Sequence, residues 1–385
     1  MTRTTGAADL LANALRRRGA PANVVFQITD RCHYDCIHCY ETHGEQPELS
    51  LAEIERILDE LAAAGTLFLT ITGGEPFLRR DADEILRAAR RRRFAVRVKT
   101  TGHFIDDRRA DLIAELGCIG VDMSFYAGDP AVHDHVTRIR GSWQRTLDAA
   151  RRLRARGVIV VLNSPVFGLN ADELAEIARI AAELGCQHGF DPKVTARQDG
   201  ASGPLALRAG DDALRCFYAD GRTGVRGAVG KLFAALAPAD LAARDREPVC
   251  RAALETCGIT PQGLVTACHA LPVPAGDLRR QSFREVWRGS AGLEQIRGLT
   301  WSRLEACSAC DVRAYCQRCH AMALLEDGRL DGPSREACRH AVLIRDLLRD
   351  EGLVPAGETG LPPTMRLDAM RRPAPVRSPA LRVLV

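Results

Sequence analysis

The stretch Asp30-Arg31-Cys32-His33-Tyr34-Asp35-Cys36-Ile37-His38-Cys39-Tyr40 constrains this chain more than any other. Three cysteines stand with three residues, then two, between them, directly after an apolar run at 23–29. Thiolates this close can hold three corners of one small metal cluster, but they cannot easily supply the fourth. One corner then stays open to something other than protein. The plainer alternative is a structural zinc site, which wants four protein ligands in a closed tetrahedron. His33 and His38 are ligands by type, yet neither stands at the usual spacing.

Fourteen cysteines in 385 residues is the outlying number of the composition. The N-terminus has charges but no apolar signal-peptide core, and no apolar run approaches the ~18 residues of a membrane span. The expected location is the cytoplasm, where thiols stay reduced and clustered cysteines point to metal rather than disulfides. A net charge of +4 gives little reason to invoke nucleic acid, and Lys99, Lys193 and Lys231 are the only lysines.

From residue 23 to about 190, short β-rich runs alternate with periodic apolar segments. The expected strands are 24–29, 67–72, 95–100, 120–125, 158–163 and 188–191. The expected helices are 51–64, 82–92, 110–116, 142–154 and 171–184. Gly65, Gly117, Gly157 and Gly185 follow helical stretches, as helix-ending glycines do. Six βα units imply an α/β fold with a parallel sheet, closing into a partial (β/α)6 TIM-like barrel whose site lies at the strands' C-terminal ends. Short helices are expected at 211–218 and 228–237. Beyond residue 250 the cysteines recur every few residues, which reads as a small domain held by metal rather than by a core. The expected boundaries are an N-terminal segment 1–22, the barrel 23–235, the cysteine-rich domain 236–345 and a Pro/Arg-rich tail 346–385.

The second strand ends in Gly73-Gly74-Glu75-Pro76. Two glycines let a backbone edge approach a ligand closely, and Glu75 is expected to face a cation at the barrel mouth. Together with the cysteine loop at the end of the first strand, this resembles the radical S-adenosylmethionine (SAM) superfamily over roughly residues 23–191. The resemblance implies that Cys32, Cys36 and Cys39 hold a catalytic 4Fe–4S cluster whose open iron is chelated by S-adenosyl-L-methionine. It implies that Gly73, Gly74 and Glu75, with Pro76 closing the motif, receive the cofactor's amino group and that Tyr40 flanks adenine. One electron then yields a 5′-deoxyadenosyl radical that takes hydrogen from substrate. Thr101, Ser124, Asn163 and Arg138 or Arg140 are further expected cofactor contacts, since a hydroxyl and an Arg fork suit ribose and carboxylate. His133 and His135 read as surface residues.

Cys250, Gly263 with four residues to Cys268, Cys307-x2-Cys310-x5-Cys316-x2-Cys319, and Cys338 resemble a SPASM domain, which carries two auxiliary 4Fe–4S clusters. One spacing departs from that pattern: two residues, not three, separate Cys316 from Cys319, and His320 occupies the usual cysteine's place. By resemblance, Cys250, Cys257, Cys268 and Cys319 hold one auxiliary cluster, and Cys307, Cys310, Cys316 and Cys338 the other, giving three clusters in all. Two zinc-ribbon-like sites would need the same eight thiolates. Cys118 and Cys186 read as packing residues, and Cys216 as a possible substrate-facing thiol.

The segment Phe190–Gly200, the run Cys268-His269-Ala270 and Ser282-Phe283-Arg284-Glu285-Val286-Trp287 resemble SPASM enzymes that modify ribosomally made peptides. The expected partners are therefore a precursor peptide, a separate leader-recognition protein and a flavodoxin- or ferredoxin-type electron donor. Only about twenty residues precede the first strand, too few for a fused leader-binding domain. Expected products are a cross-link, an epimer or a decarboxylated residue. Alternatives are a sulfatase-maturing oxidase, with Asp122 or Asp191 as base, a tetrapyrrole side-chain decarboxylase, or a non-catalytic iron–sulfur scaffold.

Overall fold

The computed structural model describes residues 19–42, 47–220 and 244–352. Six βα units open the chain. The strands are β1 (Asn23–Gln27), β2 (Phe68–Thr72), β3 (Ala95–Thr100), β4 (Gly120–Ser124), β5 (Val160–Pro165) and β6 (Gln187–Asp191). The helices that follow are α1 (Leu51–Ala64), α2 (Ala82–Arg91), α3 (Asp107–Glu115), α4 (Pro130–Thr137), α5 (Ser142–Ala155) and α6 (Leu174–Glu183). All six strands pair in parallel and in chain order.

Strand alternation divides the sheet into two faces. Val24, Phe26, Leu69, Ile71, Val96, Val98, Val121, Met123 and Leu162 turn toward the helices and are essentially inaccessible to water. The intervening positions carry Thr72, Lys99, Ser124, Asn163 and Gly189, which line a cavity on the opposite face. Helix ends are set locally. Ser50 and Glu53 form a reciprocal capping box at the start of α1, and Gly65 ends that helix at φ 96°.

The C-terminal part departs from the expected separate, metal-held domain. β7 (Thr256–Ile259) pairs in parallel with β1, and β8 (Leu264–Thr266) and β9 (Pro274–Asp277) continue the same sheet antiparallel, making nine strands. Ala253, Ile259, Val265, Phe283, Trp287 and Leu293 belong to one core with Ile54 and Leu58 of α1. Burial of apolar surface, not metal alone, therefore holds this part to the barrel. After α7 (Asp211–Ala219) come α8 (Phe283–Gly289), α9 (Ala291–Arg297), α10 (Glu305–Ser308), α11 (His320–Asp327) and α12 (Arg335–Asp350). α12 runs past the expected boundary at 345. The expected helix 228–237, the 235/236 boundary and most of the Pro/Arg-rich tail lie outside the described residues. Among the described residues no helix is long and apolar enough to cross a membrane.

Candidate active site

The root of the cysteine loop and the end of β2 are zipped together by backbone. Gly74 N donates to Thr29 O at 2.9 Å and Glu75 N to Arg31 O at 2.8 Å. Only glycine allows this approach. A Cβ on Gly73 would lie 2.7 Å from the Thr29 carbonyl oxygen, and one on Gly74 2.5 Å from that of Arg31.

Above this junction lies a cavity of about 450 Å³. Its wall includes Cys32, Cys36 and Cys39 together with Gly73, Gly74 and Tyr40, and it continues over Thr101, Ser124 and Asn163. These residues come from the C-terminal ends of β1 to β5. Burial pushes the thiols of Cys32 and Cys39 up to about 11 and that of Cys36 up to about 12. Thiols held this high are poor free nucleophiles at neutral pH, because the thiolate is the reactive form. They suit soft metal, whose charge favours the thiolate. Three soft donors beside an open, hydroxyl- and amide-lined space fit an iron–sulfur cluster with a small polar ligand. Among the described residues, no three His, Cys, Asp or Glu side chains close on a single-ion position.

Glu75 sits beneath the cavity rather than in its wall. It is fully buried, and its carboxylate accepts from Thr100 Oγ1 at 2.8 and 2.9 Å, Thr101 N and Oγ1 at 2.8 Å, and Phe77 N at 3.1 Å. Burial raises its pKa despite these donors. Expected to face a cation at the barrel mouth, Glu75 in this structure ties the ends of β2 and β3 together and aims Thr101. Pro76 is buried at the start of the short 3₁₀ turn that follows.

Arg138 and Arg140 depart from expectation. Both are exposed and outside the cavity, and Arg138 pairs with Asp35 on the outer side of the cysteine loop. Arg138 ends α4 in the left-handed region, φ 57°, which turns it outward. His133 is not a surface residue: its Nδ1 accepts from Tyr126 N at 3.2 Å, and burial lowers its pKa to about 4. His135 is exposed. Cys216 is exposed on α7 and does not reach the cavity.

Two rings of the cavity wall, His38 and Tyr126, were given no place in the cavity from the sequence. His38 lines the wall and packs on Tyr126 and Phe167. Tyr126 places its hydroxyl 4.0 Å from Cys36 Sγ. The available signal was position: His38 sits inside the cysteine loop, and Tyr126 follows β4 by two residues.

Seven of the eight cysteines from Cys250 to Cys338 fall into two neighbourhoods. Cys338 is surrounded by Cys316, Cys307 and Cys310. Cys250 and Cys268 share Cys319, which stands at the N-cap of α11. His320, at the usual cysteine's place, turns away to Arg318 and the Leu330 carbonyl. Cys257 stands apart from the set expected for it. It pairs in register with Val24 on the helix-facing side of the sheet, is inaccessible to water, and has Arg297 as the one charged group acting on it.

A radical SAM superfamily model matches residues 26–181, and a SPASM iron–sulfur cluster-binding model matches 250–311. Residues 26–181 are by that match a radical SAM domain. The chain carries, beyond the barrel, the iron–sulfur-binding SPASM domain. It is 29% identical over 346 residues to a PqqA peptide cyclase of Ruegeria pomeroyi, covering 84% of this chain and 90% of that protein. An AdoMet-dependent heme synthase of Methanosarcina barkeri is 25% identical over 80% of this chain and 94% of its own length. Streptococcus suis SuiB bound to S-adenosylmethionine shares the fold, with a TM-score of 0.64 at 17% identity over 85% of this chain and 80% of that one. SuiB bound to its precursor peptide SuiA superimposes with a TM-score of 0.61, at 15% identity over 86% of this chain and 80% of that one.

Proposed function

We propose that this chain is a radical SAM/SPASM peptide maturase that takes hydrogen from a residue of a ribosomally made precursor. The observation that carries the reading is the single open cavity in which three loop thiols meet the glycine turn of β2 and the polar ends of β3 to β5. The similarity to a PqqA peptide cyclase along most of both chains favours a peptide substrate over the tetrapyrrole suggested by the heme synthase. When bound, a 4Fe–4S cluster and S-adenosyl-L-methionine supply one-electron cleavage to a 5′-deoxyadenosyl radical.

The chain's own residues bind, orient and shield. Cys32, Cys36 and Cys39 hold the cluster. The Gly73–Gly74 edge and the hydroxyl of Thr101 receive the cofactor's polar end, while Ser124 and Asn163 offer partners deeper along the strands. Tyr40, His38 and Tyr126 wall the space with rings, which keeps water from the reacting centre. A separate leader-recognition protein and a flavodoxin- or ferredoxin-type donor complete the system.

In the C-terminal part, Cys307, Cys310, Cys316 and Cys338 hold one auxiliary cluster, and Cys250, Cys268 and Cys319 hold another without Cys257. Anaerobically reconstituted protein is expected to carry about 12 iron per chain, three clusters of four. Cys319→Ala is expected to lower this to about 8, and Cys257→Ala to leave it unchanged. Iron near 4 in the unaltered protein would remove the auxiliary clusters from the proposal. The peptide reading is tested with the small precursor encoded beside the gene: reduced enzyme with cofactor should change its mass or its Cα configuration. Modification of a tetrapyrrole instead would overturn it.

A further inference from the structure

We propose that the Tyr126 hydroxyl donates a hydrogen bond to the Cys36 sulfur and so raises the reduction potential of the cluster held by the loop. The inference rests on the iron–sulfur reading of that loop and names a residue that tunes it. Tyr126 acts through Cys36, which makes it a positioning residue rather than a ligand.

The hydroxyl lies 4.0 Å from Cys36 Sγ, and Tyr126 is buried. With a free thiol, either atom can be the donor. Iron removes that choice. A ligating cysteine is a thiolate, which can only accept, so the phenol hydrogen must point at sulfur. The other polar neighbour of the hydroxyl is the Ser124 side chain, whose own hydrogen can go to the phenol oxygen. Cys32 Sγ, by contrast, accepts a backbone N–H, that of Tyr34 at 3.4 Å.

The ring is held from several sides. Tyr126 N donates to His133 Nδ1 at 3.2 Å, and Asn170 Nδ2 donates to Tyr126 O at 2.8 Å. The ring meets those of His38 and His133 at centroid distances of 4.6 and 5.4 Å, and it packs in one cluster with Val136, Phe167 and Val194. Cys36 and Ile37 lie against the same cluster, and Ile37 N donates to Val136 O at 3.0 Å. Ring and loop therefore share one anchorage, which fixes the separation of hydroxyl and sulfur. Packing alone asks for phenylalanine here, because a buried hydroxyl costs free energy unless it is bonded. Hydrogen bonds to cluster sulfurs are one of the levers by which a protein sets the potential. Donation draws charge from the thiolate, which favours the reduced, more negative cluster over the oxidised one. The couple gains one electron from the external donor, and the phenol keeps its proton throughout.

The test is an anaerobic potentiometric titration of reconstituted holoenzyme followed by electron paramagnetic resonance. The catalytic signal is identified as the one missing from the Cys36→Ala protein. Y126F keeps the ring and removes the donor. Its catalytic cluster is expected to become roughly tenfold harder to reduce, about 59 mV lower for a one-electron couple, with iron content and the auxiliary signals unchanged. 3-Fluorotyrosine installed at position 126 alone is a stronger donor and should move the same potential upward. An unchanged potential in Y126F overturns the proposal. Should that variant fail to hold the cluster, the fluorinated protein decides: an upward shift upholds the hydrogen bond and an unmoved potential overturns it. Absence of a catalytic signal from unaltered protein, with about 8 iron in place of about 12, overturns the iron–sulfur reading of the loop and this inference with it. The expected shifts in protein that leaves its peptide unmodified uphold the inference and overturn the peptide reading alone.

Discussion

Replacing Cys36 with alanine is expected to abolish release of 5′-deoxyadenosine from reduced enzyme and to remove about four of the iron atoms. Cys36 is the middle thiol of the loop, and its sulfur is aimed at the cavity beside the Tyr126 hydroxyl. Losing it leaves two thiols, which cannot hold three corners of a cluster. The loop itself should survive the change, because its path is fixed by backbone. Ile37 N donates to Val136 O and Cys39 N to Cys36 O, both at 3.0 Å, and neither bond uses the thiol. The loss is therefore expected without a change in far-ultraviolet circular dichroism. Cys216→Ala, on the exposed face of α7, provides the matched control and should behave as the unaltered protein. Continued release of 5′-deoxyadenosine by the Cys36→Ala protein would mean that the loop is not the catalytic site.

Much of this site was legible because its signals are local. The cysteine spacing, the double glycine and the alternation of apolar residues along each strand are all written within short windows. α1 matches its expected span from end to end, since Ser50, Glu53 and Gly65 mark both ends chemically. β5 starts two residues later than expected because Val158 N is spent on the Leu153 carbonyl, closing the end of α5. What escaped was set by tertiary contact. The strands β7 to β9 are only three or four residues long, and nothing in their sequence announces that β7 will add to the edge of β1. That pairing moves Cys257 into the core and away from the other thiols, so a cysteine count that suggested eight ligands becomes two unequal groups. The directions in which Glu75 and Arg138 face were hidden for a related reason. The sequence shows a charge near a site, but which way it faces depends on Thr100 and Thr101 in one case and on a left-handed helix end in the other.

Gly74→Ala should be nearly as damaging as loss of a thiol, although it removes no ligand. The added methyl would lie 2.5 Å from the Arg31 carbonyl oxygen, 2.7 Å from the Arg31 carbonyl carbon and 2.8 Å from the Asp30 oxygen. All three are backbone atoms at the root of the cysteine loop, so no side chain can swing aside to relieve the overlap. The chain must either break the bonds from Gly74 N to Thr29 O and Glu75 N to Arg31 O, or carry Cys32 away from its place. Overpacking of this kind costs roughly 1–3 kcal/mol. A displacement of about 1 Å at a reacting centre lowers rate by about 100-fold. The expected result is thus at least about 100-fold slower 5′-deoxyadenosine release, together with a lower thermal midpoint. Gly203→Ala is the control: it has open space around its Cβ direction and an ordinary φ, so both readouts should stay put. Normal turnover in the Gly74→Ala protein would show that the close seam between β2 and the cysteine loop does not position the site.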